Sequence, residues 1–120
     1  MVRLKRAYDP PSPEDGHRYL VDRLWPRGIS KEALQLRGWL RDLAPSDPLR
    51  RWFGHDPAKW PQFQARYRQE LATPQRQAVL QQLAQEARRG TVTLVYSAHD
   101  REHNNAVVIK AVLEEMMDEL

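Results

Sequence analysis

Residues 91–106 read Thr-Val-Thr-Leu-Val-Tyr-Ser-Ala-His-Asp-Arg-Glu-His-Asn-Asn-Ala, and this stretch decides the fold. Its first six residues are β-branched, aliphatic or aromatic, the composition of a strand. A polar cluster follows at once, and a helix starts where the cluster ends. Ala106, Ile109, Leu113, Met116 and Leu120 recur there at steps of three and four, with Val112 widening the stripe. In an open α/β sheet, ligands bind in the crevice outside the carboxyl ends of the strands. The polar cluster is expected to lie at such a crevice.

Upstream of that strand, the chain reads as helical back to residue 47. Asp47-Pro48, Asp56-Pro57 and Thr73-Pro74 each pair an N-cap oxygen with a proline at the first helical position, where the missing N–H costs nothing. The first predicts a short segment ending at Gly54. The second opens a helix that stacks Trp60, Phe63, Tyr67 and Leu71. The third opens one that carries Val79, Leu80, Leu83 and Ala87 and stops at Gly90 as a C-cap.

Further toward the N-terminus, residues 2–8 begin by alternating apolar and basic side chains, the mark of a half-buried strand. Residues 9–16 hold three prolines and a glycine, which predicts a rigid loop with no regular element. Residues 19–25 read as a second strand halted by Pro26, whose ring cannot donate to a ladder. Ser30 can cap a short helix through Leu36, and residues 38–44 read as a third strand. The expectation is one α/β or α+β domain over residues 1–120, a small mixed or mostly parallel sheet of three to four strands with helices packed on it. Strand order is not readable from the pattern.

A chain of 120 residues, 41% hydrophobic and 29% charged, suits one globular, soluble domain. No apolar run approaches the roughly 18 residues of a membrane span. Met1-Val-Arg-Leu-Lys-Arg6 leads into no apolar stretch, so no secretory signal is expected. The absence of cysteine excludes disulfides, thiolate chemistry and cysteine-ligated metal, and makes a cytoplasmic setting the expectation. Charge is uneven: residues 1–54 carry 11 basic against 7 acidic side chains, a net of +4, while the whole chain is +3. Of the 19 basic residues 15 are arginine, whose planar fork suits phosphate and carboxylate.

Three places carry chemistry. Asp22 and Arg23 are adjacent in the second strand, so their side chains should point to opposite faces. One reading makes Arg23 an anion ligand at the sheet edge; the other has Asp22 facing solvent and Arg23 paired with a structural carboxylate. Trp25-Pro-Arg-Gly28 displays an indole and a guanidinium, and an aromatic beside an arginine suits a base with its phosphate. After the last strand come Ser97, His99, Asp100, His103 and Asn104. Ser97, His99 and Asp100 are too close in sequence to face one another as a catalytic triad. Ser97 with Asp100 fits a capping box, and Asp100 alone suits a cap of the last helix. That leaves His103 and Asn104 on the first helical turn, where free N–H groups favour an anion and His103 suits a proton donor or phosphate ligand. His99 and His103 stand four apart but straddle a strand-to-helix junction, so no metal site and no cofactor is expected.

Five strings carry a resemblance: Arg6-Ala-Tyr-Asp9, Asp22-Arg-Leu-Trp-Pro-Arg-Gly28, Leu43-Ala-Pro-Ser46, Trp52-Phe-Gly-His-Asp56 and Glu102-His-Asn-Asn-Ala106. On them the chain resembles the YeaO-like family of small bacterial proteins, domain of unknown function 488, over nearly its whole length. The resemblance implies a cytoplasmic single-domain α/β protein and carries no reaction with it. It groups Tyr8, Asp9, Asp22, Arg23, Arg27, Ser46, Asp100, His103 and Asn104. Where His99 stands it implies a small or basic residue, so no mechanism is placed on His99.

Two functions of different class follow. The first is a site for a phosphate-bearing or nucleotide-like small molecule, with hydrolysis or transfer at an N-glycosidic or phosphoester bond as the reaction. Arg23 and Arg27 would hold the anion, and Asp9 or Asp100 would act as acid or base with His103 in support. Tyr8, Trp25, Ser46 and Asn104 would contact the substrate. The alternative is a nucleic-acid-binding module that uses the basic N-terminal half, Trp25 and Arg27. A docking tail made from Glu114, Glu115, Asp118 and Glu119 is a third, blander use of the chain.

Overall fold

A computed structural model describes residues 1–118. Four strands form one sheet: β1 (Val2–Arg6), β2 (His17–Leu20), β3 (Gly38–Trp39) and β4 (Val92–Tyr96). Five helices accompany them: α1 (Lys31–Leu34), α2 (Asp47–Phe53), α3 (Trp60–Leu71), α4 (Pro74–Arg89) and α5 (Asn105–Asp118). The spatial order is β1-β4-β2-β3, and every pair is parallel. The last strand in sequence thus sits inside the sheet. Val92 faces Val2 on one side and His17 on the other, and Leu94 faces Leu4 and Tyr19. All five residues of β4 are buried, as a parallel strand covered on both faces must be.

The two faces are unequal. Val92, Leu94 and Tyr96 of β4 join Val2, Tyr19 and the apolar stripes of α3, α4 and α5 in the main core. Its largest fully buried side chain, Tyr67, donates its hydroxyl hydrogen bond to the Leu43 carbonyl. The opposite face holds a small cluster of Ala7, Leu20, Leu34 and Val95, flanked by Trp25 and Trp39. Beside it, buried Asp15 accepts from Lys5 at 2.9 Å and from Arg18 at 2.8 Å, and the Thr93 hydroxyl donates to the Asp15 carbonyl at 2.6 Å.

Several local expectations are corrected. β2 ends at Leu20, not at Trp25, because Val21 makes the last ladder bond and the Asp22 carboxylate then accepts from the Ser97 N–H. Asp22 and Arg23 therefore lie beyond the strand, and Asp22 faces inward. With β2 finished, β3 has nothing to pair with past Leu40, whose N–H bonds Leu20; residues 41–43 tighten into a 3₁₀ turn. The cap of α2 is Ser46, whose Oγ accepts from the Leu49 N–H, and Asp47 falls in the first turn. The proline-rich loop contains a 3₁₀ turn, Pro13–Asp15, followed by Gly16 at φ +61°. A Cβ on Gly16 would collide with the Thr91 carbonyl. Asp56 caps a single 3₁₀ turn that runs into α3. Leu120 of the α5 stripe and Glu119 of the acidic tail lie outside the described residues. No helix among the described residues is long and apolar enough to cross a membrane.

Candidate functional site

Asp22 ties together the carboxyl ends of two inner strands. One oxygen accepts from the Ser97 N–H at 2.9 Å, just past β4, and the other from the Asn105 amide at 3.1 Å, at the start of α5. The same amide donates to the Val21 carbonyl at 2.9 Å. Burial pushes the Asp22 carboxyl upward, and the bonds from Asn105 and Ser97 offset part of that rise. Above this junction opens a cleft of about 620 Å³. It lies where the strand-to-cluster transition at Tyr96-Ser97 placed it in the sequence.

Three arginines line the cleft. Arg23 donates to the Pro45 carbonyl at 3.4 Å, and its Nε stands 3.9 Å from the Asp47 carboxylate. That Nε is buried and has no hydrogen-bond partner among the described residues. Arg27 is exposed; its backbone carbonyl accepts from the Tyr8 hydroxyl at 3.2 Å, which braces the rim. Arg50 stands 3.5 Å from Asp47. Trp25 serves two roles. Its indole N–H donates to the Ile29 carbonyl and its ring meets Trp39 edge-on, sealing the small core while also lining the cleft. Phe53, Phe63 and His55 also line it.

Asp100 lines the cleft as well. It accepts from the Glu102 and His103 N–H groups and pairs with His103 Nδ1 at 2.8 Å. These contacts, led by the Glu102 N–H, hold its carboxyl below the ordinary range. His103 is not on the cleft wall, and its ring stands edge-on to Trp60. The helix begins later than its sequence suggests. Asn104 is the cap, accepting from the Val107 N–H at 3.1 Å and donating to the Asp100 carbonyl, so His103 precedes the first turn. Neither Ser97 nor Asp100 caps α5.

The cleft thus gathers Tyr8, Arg23, Trp25, Arg27, Asp100 and Asn104 from segments far apart in sequence. Three other candidates lie elsewhere. Asp9 forms a two-bond pair with Arg101 at 2.9 and 3.0 Å and accepts from the Arg6 N–H, contacts that lower its carboxyl. Ser46 lies in a separate, shallower groove and donates to Glu70 at 2.6 Å. His103 reaches the cleft only through Asp100. Six polar cleft residues lie outside the residues given catalytic or binding roles: Asp22, Arg50, His55, Ser97, His99 and Asn105. Asp22 had a signal, since it stands in the Asp-Arg-x-Trp-Pro-Arg-Gly string. His55 also had one, since it stands in the Trp-Phe-Gly-His-Asp string directly after Gly54, the glycine that ends α2.

Fold and site together define a class: a small parallel α/β domain with one mixed-charge cleft at the carboxyl edge of its sheet. The whole chain, residues 1–120, matches the family model described as the inactive DUF488-N3 subclade, and it belongs to that family. It is 40% identical over 108 residues to the uncharacterised protein YeaO of Escherichia coli, covering 90% of this chain and 92% of YeaO. It is 38% identical over 112 residues to uncharacterised proteins of Mycobacterium tuberculosis and Mycobacterium bovis, covering 93% of this chain and 92% of each relative. No solved structure matches.

Proposed function

We propose that the chain binds an anionic small molecule, phosphate-bearing or nucleotide-like, in this cleft, and does so without turning it over. The observation that carries the reading is the placement of Arg23, Arg27 and Arg50 around one cavity at the carboxyl edge of a parallel sheet. Guanidinium groups hold phosphate oxygens with two parallel bonds each, which gives orientation as well as attraction.

Binding without turnover draws its support from the family description, an inactive subclade. Of the two carboxylates expected to act as acid or base, Asp9 is tied to Arg101 away from the cleft and Asp100 is paired with His103. Support for the nucleic-acid alternative is thinner, because the Trp25 indole it needs for stacking is bonded to the Ile29 carbonyl and set edge-on against Trp39. The composition, free of cysteine, suits a cytoplasmic setting.

The test is a thermal-shift and calorimetry screen against nucleotides and sugar phosphates. Ligand at about 100 times its dissociation constant stabilises the fold by about 2.7 kcal/mol. Arg27→Ala should remove that shift while leaving the unliganded melting temperature unchanged. No shift with any anion would overturn the proposal. Binding confined to oligonucleotides and falling steeply with salt would transfer it to the nucleic-acid reading.

A further inference from the structure

We infer that the floor of the cleft is a hydroxyl-recognition subsite, in which Asp22 and Ser97 bind the vicinal hydroxyls of a ribonucleotide or phosphorylated sugar held by the arginines above. The inference rests on the anion-binding reading and deepens it.

Buried polar atoms in native proteins are nearly always hydrogen-bonded, so each exception calls for a reason. Three buried side-chain atoms have no partner among the described residues, and two of them, Arg23 Nε and Ser97 Oγ, belong to residues of the cleft wall. The third, on Arg18, belongs to the buried Asp15 pair. Asp22 supplies the complementary half. An ionised carboxylate has about four acceptor positions. Asp22 fills two of them, with the Ser97 N–H and the Asn105 amide, and no cation pairs with it among the described residues.

This pairing sets what can reach the floor. A second phosphate oxygen there would meet a like charge at close range, which is unfavourable. A pair of hydroxyls brings two donors to the carboxylate and can also bond the Ser97 hydroxyl. Carboxylates recognise ribose hydroxyls in this way in dinucleotide-binding folds. Asn105 holds the carboxylate in place from the first residue of α5, so the acceptor is oriented before the ligand arrives. A cavity of about 620 Å³ exceeds what a phosphate ion fills and suits a nucleotide-sized ligand.

Calorimetry with AMP, 2′-deoxy-AMP and inorganic phosphate tests the inference on the wild-type chain and on Asp22→Asn and Ser97→Ala. The expected result is AMP binding about tenfold tighter than 2′-deoxy-AMP, or about 1.4 kcal/mol. Both variants should abolish that ratio and leave phosphate binding intact. Ser97→Ala keeps the backbone N–H that Asp22 accepts and loses only the hydroxyl beside that carboxylate, so it decides the matter if Asp22→Asn does not fold. Equal binding of AMP and 2′-deoxy-AMP, or a ratio unchanged in Ser97→Ala, would overturn the subsite and leave the anion reading standing. Binding of none of the three would overturn both.

Discussion

Replacing Asp15 by asparagine should destabilise the fold in a way that depends on pH. Asp15 is fully buried on the sheet face that carries the small core. Burial alone would raise its carboxyl. Bonds from Lys5, from the Ser12 N–H and hydroxyl, and from Arg18 outweigh that and hold it at about 2, against an ordinary 3.8. A depressed folded pKa contributes stability that is fully present above the unfolded value and is lost as pH falls through the folded one. The drop from 3.8 to about 2 amounts to about 2 kcal/mol at neutral pH, lost between about pH 4 and pH 2. Asp15→Asn also strands the guanidinium of Arg18, whose side chain is 4% exposed. Removing one partner of a buried pair costs about 3–5 kcal/mol. Urea unfolding of both proteins at a series of pH values reads these effects, because subtracting the variant curve removes the other carboxylates. The gap should be about 3–5 kcal/mol at pH 7 and shrink by about 2 kcal/mol on acidification from pH 4 to pH 2. A gap below about 1 kcal/mol, or parallel curves over that window, would refute the reasoning.

Other outcomes follow from single contacts. Gly16→Ala, at φ +61° against the Thr91 carbonyl, should cost more than about 1 kcal/mol in chemical denaturation. Asn104→Ala removes the cap of α5 and should cost about 1 kcal/mol, read the same way, whereas Asp100→Ala should cost α5 less because it does not cap that helix. Arg27→Ala should stay within about 0.5 kcal/mol of the parent, since its exposed side chain supports no packing.

What was legible in the sequence followed local physics. The run from Thr91 to Tyr96 announced a buried strand, and the abrupt change at Ser97 placed the polar edge correctly. Proline and helical spacing located α3 and α4, and alternation located β1. The misreadings came where a distant residue decides a local outcome. Nothing near Val21 says that β2 stops there; the Ser97 N–H, 75 positions away, draws Asp22 out of the ladder. Ser46 and Asp47 are both good caps, and the sequence gives no reason to prefer Ser46 until Glu70, on α3, is seen bonding both its hydroxyl and its N–H. Asp9 looked free for chemistry because Arg101, its partner, comes 92 residues later. Burial of Asp22 was invisible for the same reason. An acidic residue beside an arginine reads as a surface pair, and only the meeting of β2, β4 and α5 closes around it.

The most direct test maps where an anion lands. In a backbone amide NMR titration of the wild-type chain with AMP, the perturbed signals should cluster at Asp22, Arg23, Arg27, Ser97 and Asn105. The amides around Asp15 and His17 should stay still. Perturbations centred instead on the groove beside Trp52 and Arg66, or scattered without a focus, would contradict a ligand site at the carboxyl edge of the sheet.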